Sequence, residues 1–218
     1  MDLIKEVLRY GVPAALQMSI ISIGDMTLQA VVNTYGTAMV VAYGVCLKVE
    51  GVGWELTNAI GQAVGTFTGQ NVGAGNLDRV RKGVKSAYVM NIIGCGIFGI
   101  AISVFAPYIM GAFTETPEAI RLGVEYMRIF ACFFLAGGIL VIFQNFLRAA
   151  GDVQFTLLMG VSEIITRVGL ALLLPGVVGY IGLWFVSPIT WVVAAIVGLA
   201  RYYSNAWKKM ALNTAAAE

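Results

Sequence analysis

Residues 86–110 read SAYVMNIIGCGIFGIAISVFAPYIM, a run that contains no Asp, Glu, Lys or Arg. A helix of about 20 apolar residues crosses the ~30 Å hydrocarbon core of a bilayer, so this run is long enough to span a membrane. It contains Gly94, Gly96 and Gly99 at the spacing of a dinucleotide-binding fingerprint, GxGxxG. That fingerprint needs a strand before it and a helix after it, whereas these glycines lie inside one apolar segment. We therefore interpret them as helix-packing positions.

The whole chain shares the apolar character of this run. Of its 218 residues, 59% are hydrophobic and 12% are charged, and the formal net charge is +2. A soluble domain of this length exposes too much surface to hide so many apolar side chains. The composition therefore excludes an ordinary soluble enzyme and a basic nucleic-acid-binding protein. Because the chain contains no histidine, no Ser/His or zinc–histidine site can form, and we expect no enzymatic activity, metal site or cofactor.

Five further apolar segments surround this run, separated by breakers and polar residues. Together they predict an all-α membrane protein whose six transmembrane helices form one bundle. The predicted spans are 12–35, 38–69, 86–110, 122–147, 154–174 and 180–203. Residues 1–11 are then a cytoplasmic lead-in, 12–203 the bundle and 204–218 a cytoplasmic tail. Pro175 and Gly176 are expected to end the fifth span, since proline removes a helix hydrogen bond.

Basic residues are distributed unequally between the two sides that six spans define. The opposite loops carry only Arg121, whereas ten basic residues fall on the side that holds both termini. These ten are Lys5, Arg9, Arg79, Arg81, Lys82, Lys85, Arg148, Arg201, Lys208 and Lys209. Cytoplasmic loops carry an excess of Lys and Arg, so we expect both termini to lie in the cytoplasm.

Eight charged side chains lie inside the predicted spans, where ionised groups are expensive and usually face the protein interior. Depth along the helices at 1.5 Å per residue and spacing along one helix face suggest partners for six of them. The predicted ion pairs are Asp25–Lys48, Glu163–Arg167 and Glu125–Arg128. Glu50 and Glu55 remain without a partner. An unpaired carboxylate in lipid needs a proton or a metal cation, which makes Glu50 a candidate coupling acid unless it turns towards Lys48.

Amide side chains on the same spans are candidates for the lining of a polar cavity. Gln29 and Asn33 are four residues apart and share a helix face with Asp25, and Gln144 lies on the fourth span. Further amides in the spans are Gln17, Asn58, Gln62 and Asn145. We expect this set to bind an ion or substrate, or else to form hydrogen bonds between helices.

Five stretches of the sequence, taken in order, resemble the second half of a multidrug and toxic compound extrusion (MATE) transporter. They are GVPAALQMS (11–19), VNTYGTAMVVAYGV (32–45), TGQNVGAGNLDRVRKG (68–83), FLRAAGD (146–152) and RYYSNAWKK (201–209). The resemblance extends from about Leu3 to Lys209. Its most specific part is the glycine-rich loop between the second and third spans. The positions that match the family's loop motif, which we interpret as structural, are Gly69, Gln70, Asn71, Gly73, Ala74 and Gly75.

The resemblance implies an antiporter in a bacterial plasma membrane that exports organic cations in exchange for sodium ions or protons. Family members have twelve spans in two six-helix bundles related by a pseudo-twofold axis. This chain would supply one bundle, so it would need a partner: a second polypeptide, another copy of itself or an N-terminal portion. Acids that several relatives carry near Pro13 and in the fourth span have no counterpart here, where Ile20, Ile21, Gly137 and Gly138 stand.

Aromatic rings attract organic cations, and several lie in the predicted spans. They are Tyr43, Trp54, Phe67, Tyr126, Phe143 and Trp184, and we expect most of them to pack against lipid. Two alternatives to cation export remain. A flippase for lipid-linked sugars, from the related superfamily, would want several unpaired basic residues in its cleft. A non-transporting fragment or assembly partner would pack through the ridge formed by Gly61, Gly65 and Gly69.

Overall fold

The computed structural model describes the backbone of residues 2–215, and the side chains of residues 11–212 except positions 13, 14, 17 and 20. The predicted cavity position Gln17 thus lies outside the described side chains. Over this range the protein is all-helical, with no strand. The helices are α1 (Asp2–Asn33), α2 (Thr37–Gly73), α3 (Leu77–Phe113), α4 (Pro117–Ala149), α5 (Val153–Val178), α6 (Ile181–Tyr203) and α7 (Ala206–Ala215).

Four of the described helices, α3 to α6, are long and apolar enough to cross a membrane. They overlap the third to sixth predicted spans, which confirms an all-α protein that contains helices able to span a membrane. Helices α1 and α2 cover the first two predicted spans, and they carry Asp25, Lys48, Glu50 and Glu55 within those spans. Helix α2 has 37 residues, or roughly 55 Å at 1.5 Å per residue, so it is longer than a ~30 Å hydrocarbon core is thick.

The end of α5 differs from the prediction. The helix continues through Pro175 to Val178, so the expected break at Pro175 and Gly176 was wrong. A proline removes only its own N–H donor from the helix, and the Pro175 carbonyl still accepts from the Gly179 N–H at 3.1 Å. Gly179 has φ +70°, the left-handed conformation that commonly ends a helix. The expected cytoplasmic tail contains the short helix α7, whose Trp207 is buried against Phe146.

The α2–α3 and α4–α5 connections have the same tight turn. Gly75 and Gly151 adopt φ +69° and +82°, and the following Asx residue donates its N–H to a carbonyl five residues back. The N···O distance of this hydrogen bond is 2.8 Å for Asn76 and 2.9 Å for Asp152. This is the Schellman arrangement, which satisfies the last carbonyls of a helix and needs glycine at the left-handed position. Both helix hairpins therefore have short connections that need no ligand.

Helix α4 lies at the centre of the bundle, packed against α2, α3 and α6. Helix α1 packs mainly against α5 and only touches α2, so these two consecutive helices are not close neighbours in the bundle. Because α4 is surrounded, its rings lie inside the protein. Lipid-facing packing of the aromatic residues was the wrong expectation for Tyr43, Tyr126, Phe143 and Trp184, all of which are buried.

Glycines of α3 lie close to α2 and α4, and glycines of α2 lie close to α4. A Cβ on Gly94 would lie 3.2 Å from Leu56, and a Cβ on Gly99 would lie 3.2 Å from the Ala131 carbonyl oxygen, whereas Gly96 has nothing within 4 Å. The packing interpretation of the GxGxxG stretch is thus confirmed at its first and third glycines. On α2, a Cβ at Gly61 would lie 2.7 Å from Val141 of α4. This part of the glycine ridge packs inside the bundle, not against a separate partner.

Candidate functional site

A cavity of about 560 Å³ lies between α1, α2, α4, α5 and α6. Pockets of this size accommodate small organic molecules. Its charged wall is formed by Asp25, Glu50, Glu163 and Arg167. The other lining residues are Ile21, Met26, Gln29, Tyr43, Leu47, Gly51, Trp54, Asn58, Leu140, Val141, Gln144, Ser187 and Trp191. The cavity therefore combines carboxylates with aromatic faces.

Arg167 of α5 forms an ion pair with Asp25 of α1, through its Nη1 and the carboxylate Oδ1. The Arg167 side chain is 7% exposed and that of Asp25 is 59% exposed, so the pair reaches from the interior to the rim. Gly24 makes room for it, because a Cβ there would lie 3.1 Å from the Arg167 Cδ. The pair ties α1 to α5 and neutralises one carboxylate of the cavity.

The predicted Asp25–Lys48 pair was wrong. Lys48 is exposed, and its Nζ lies 5.5 Å from the centre of the Phe113 ring on α3. Depth arithmetic places two residues at the same height, but it does not fix the direction in which each side chain points. Since α1 packs on α5, the basic residue that Asp25 meets is Arg167.

Glu163 accepts a hydrogen bond from Gln144 Nε2 at 2.6 Å. The predicted Glu163–Arg167 pair within α5 was also wrong, because the Arg167 guanidinium is engaged by Asp25. Glu163 is 4% exposed, and an amide is its hydrogen-bond donor. The structure thus brings together three predicted site residues, Glu163, Arg167 and Gln144, in a different pairing.

Glu50 accepts a hydrogen bond from the Tyr126 hydroxyl, which joins α2 to α4. The side chain is 7% exposed and lines the cavity. Behind it, the Tyr126 ring packs edge to face on Trp184 with the centroids 4.8 Å apart. Glu50 and Tyr126 are 76 residues apart, and no sequence spacing could have linked them.

The remaining predicted site residues are divided between the cavity and its surroundings. Gln29 lines the cavity and donates to Asn33 Oδ1 at 2.8 Å, so the two share a face as expected, although Asn33 itself is not part of the lining. Glu55 is exposed and lies outside the cavity. Trp191 is a lining residue that the sequence reading missed. It lies one turn after Ser187 on the face of α6 that faces the cavity.

The glycine-rich loop motif lies outside the cavity. Gly69, Gln70, Asn71 and Gly73 form the end of α2, and Gly75 forms the turn described above. The Asn71 side chain donates to the Phe67 carbonyl at 2.7 Å, and its own carbonyl accepts from the Asn76 N–H. These contacts end one helix and start the next, which gives the motif a structural role in this half.

The third predicted pair, Glu125–Arg128, was wrong, because Glu125 pairs with Arg121 instead. Glu125 pairs with Arg121 at 2.9 Å, and the Tyr180 hydroxyl donates to Glu125 Oε2 at 3.2 Å. Arg121 lies four residues before Glu125, a spacing that places both on one helix face. Both side chains are exposed and neither lines the cavity, so we assign the pair no part in binding.

Comparisons with known proteins agree on one family. A sequence model of the MatE family matches residues 13–173. The probable multidrug resistance protein YpnP of Bacillus subtilis is 29% identical over 209 residues, which cover 95% of this chain and 47% of YpnP. The protein YoeA of the same organism, also named a probable multidrug resistance protein, is 28% identical over 211 residues, or 95% of this chain and 45% of YoeA.

The fold of this chain is also similar to that of solved structures. The crystal structure of the Vibrio cholerae MATE transporter VcmN in its bent form matches with a TM-score of 0.86 at 17% identity. The match covers 97% of this chain and 47% of VcmN. This chain therefore spans about half the length of the relatives that it matches.

Proposed function

Because this chain belongs to the MatE family, we propose that it forms one half of a membrane transporter that exports organic cations in exchange for sodium ions or protons. The observation that carries this proposal is the charge of the cavity. Two of its three carboxylates, Glu50 and Glu163, accept hydrogen bonds from neutral groups, among them the Tyr126 hydroxyl and the Gln144 amide. Buried carboxylates beside aromatic rings attract cations, which is the chemistry that an organic-cation exporter needs.

The coupling ion would use the same carboxylates. A site that binds either a proton or a sodium ion in one step and an organic cation in the next exchanges one for the other. Glu50 is well placed for this, because it lines the cavity and its hydrogen bond to Tyr126 joins two helices. Such a transporter acts by binding and conformational change, so the proposal includes no enzymatic reaction and no cofactor.

In the membrane, we propose that α1 and α2 cross the bilayer together with α3 to α6. The six spans would lie in a bacterial plasma membrane with both termini in the cytoplasm, as the excess of Lys and Arg on that side indicates. The partner half would be a second copy of this chain, a separate polypeptide or an N-terminal portion. The coverage of about half of each relative supports this arrangement.

A lipid-linked sugar flippase fits the cavity less well. Such a substrate carries phosphates, and anions of this kind are bound by several unpaired basic side chains. Among the residues that line this cavity, Arg167 is the basic one, and Asp25 already pairs with it.

Ethidium efflux from a pump-deficient bacterial strain tests the proposed function. The strain would express the full chain, alone and as a tandem fusion of two copies, with membrane insertion checked by immunoblot. We expect efflux that collapses when the ion gradient is dissipated. Glu50→Gln should reduce the efflux rate about tenfold, the size of one lost charge-assisted interaction.

The matched control is Glu55→Gln, which changes another glutamate of α2 that is exposed and outside the cavity. It should leave efflux unchanged. Equal efflux by the two variants would contradict a coupling role for Glu50. Absence of efflux from both inserted forms would contradict transport by this half or by its pairs.

A further inference from the structure

The pairing of charges in the cavity determines how many positive charges a ligand can bring. Three carboxylates and one guanidinium line it, and Arg167 is committed to Asp25 by a direct ion pair. Charge neutralisation within that pair leaves the carboxylates of Glu50 and Glu163. Among the described residues, no basic side chain forms an ion pair with either of them within 4 Å.

These two carboxylates are separate sites in one cavity. Glu50 lies on α2 and is held by Tyr126, whereas Glu163 lies on α5 and is held by Gln144. Each residue is more than nine-tenths buried. They are therefore fixed on different walls of the same space, each with neutral donors on one side and the cavity on the other.

The Arg167 guanidinium does not neutralise either glutamate by direct contact. Its Nη1 is engaged by Asp25, and its buried Nε has no hydrogen-bond partner among the described residues. The polar wall of the cavity thus keeps two carboxylates that no basic side chain contacts directly.

Aromatic side chains line the part of the cavity next to Glu50. Trp54 follows Glu50 by four residues, and its ring packs edge to face on Trp191 of α6 with the centroids 5.2 Å apart. Tyr43 lines the same space. A flat organic body can pack against these rings while its charged ends reach the carboxylates.

We propose that the cavity binds two positive charges at once, one at Glu50 and one at Glu163, and that its preferred substrates are organic dications. This inference rests on the proposed cation-transport function and narrows its substrate class. In it, Arg167 has a positioning role: by neutralising Asp25, it sets the number of free carboxylates at two.

A pair of dyes with one chromophore separates one charge from two. Ethidium carries a single positive charge, and propidium carries the same ring system with an additional quaternary ammonium. Binding of each dye to the purified full chain in lipid nanodiscs would be measured by fluorescence titration. We expect propidium to bind about tenfold more tightly than ethidium, because it gains one further charge-assisted contact. Equal affinities, or tighter binding of ethidium, would overturn the proposal without any variant.

Glutamine variants then locate the two charges. Glu50→Gln and Glu163→Gln should each remove the preference for propidium while lowering ethidium affinity less, and the control Glu55→Gln should retain the preference. Asp25→Asn gives an independent check. It frees Arg167, four residues after Glu163 on α5, to pair with that carboxylate, so it should also abolish the preference. A preference that survives in all three cavity variants would overturn the assignment.

The binding and efflux experiments test the two proposals independently. Propidium preference in nanodiscs without efflux from cells would support the two-charge cavity and overturn the transport function. Efflux of ethidium with no preference between the dyes would support transport and overturn the two-charge cavity.

Discussion

Asp152 and Arg201 show how one ion pair fastens the end of the bundle where the α4–α5 turn lies. The Asp152 side chain follows the turn between α4 and α5 and accepts a hydrogen bond from Arg201 Nε at 2.6 Å. The guanidinium of Arg201, near the end of α6, also lies 4.8 Å from the centre of the Phe155 ring. The carboxylate is buried and the guanidinium mostly so. A buried charge that loses its partner is costly, so this pair links two helices firmly.

Removing this carboxylate should destabilise the protein measurably. We expect Asp152→Ala to lower the free energy of unfolding by about 1–3 kcal/mol, because Arg201 keeps its charge without its acceptor. Equilibrium unfolding in mixed detergent micelles measures the change. The double variant with Arg201→Ala completes the cycle, and it should be less destabilised than the sum of the two single variants. Strict additivity would show that the two side chains do not interact.

The partners of the individual charges were the least predictable part of the site. The sequence identified Asp25, Glu50, Glu163 and Arg167 as intramembrane charges, and the structure places all four around one cavity. Their partners were wrong because a helical sequence states height and spacing but not which neighbouring helix a side chain meets. Arg167 and Asp25 are 142 residues apart, and only the packing of α1 on α5 brings them together.

At the level of the helices, small residues decide how closely α3 and α4 approach. Asn91 of α3 is fully buried, donates to the Leu135 carbonyl at 3.5 Å and accepts from the Cys95 thiol at 3.3 Å. It fits against α4 because Gly138 has no side chain. A Cβ on Gly138 would lie 2.1 Å from Asn91 Oδ1, which is inside any normal contact distance.

Gly138→Ala should therefore force the two helices apart or displace Asn91 from its hydrogen bonds. We expect a loss of about 1–3 kcal/mol, as is usual for overpacking, seen as a lower melting temperature in detergent by fluorescence-detected size-exclusion chromatography. Gly96→Ala is the matched control on α3, since nothing lies within 4 Å of its Cβ position. It should melt at the same temperature as the parent or higher. Equal melting of the two variants would refute the role of Gly138 in packing.

The helices themselves were the most predictable feature, because length and hydropathy determine them. The third to sixth predicted spans coincide with α3 to α6. Helix ends were less predictable. Pro175 was expected to end α5, but the helix continues until Gly179 supplies a left-handed residue. Breaker residues indicate that a helix ends nearby, whereas the hydrogen bonds of the last turn determine at which residue it ends.

For the molecule as a whole, the distribution of basic residues predicts its orientation in the membrane. A green fluorescent protein fused after the C-terminus should fluoresce, since it folds in the cytoplasm. Alkaline phosphatase fused at the same place should be inactive, and the same enzyme inserted at Glu115, between α3 and α4, should be active. The opposite pattern of activities would show that the predicted orientation is reversed.

The long separation between Asp25 and Arg167 has a consequence for synthesis of the chain. Helix α1 leaves the ribosome before α5, which is its main packing partner. The paired side chains Asp25 and Arg167 are 142 residues apart. At typical elongation rates of 5–20 residues per second this delay is roughly 7–30 s. During that time Asp25 has no guanidinium to meet, so α1 must wait at the insertion machinery or in the bilayer with its acid unpaired. The packing of α1 is thus completed only when the α5–α6 hairpin has been made.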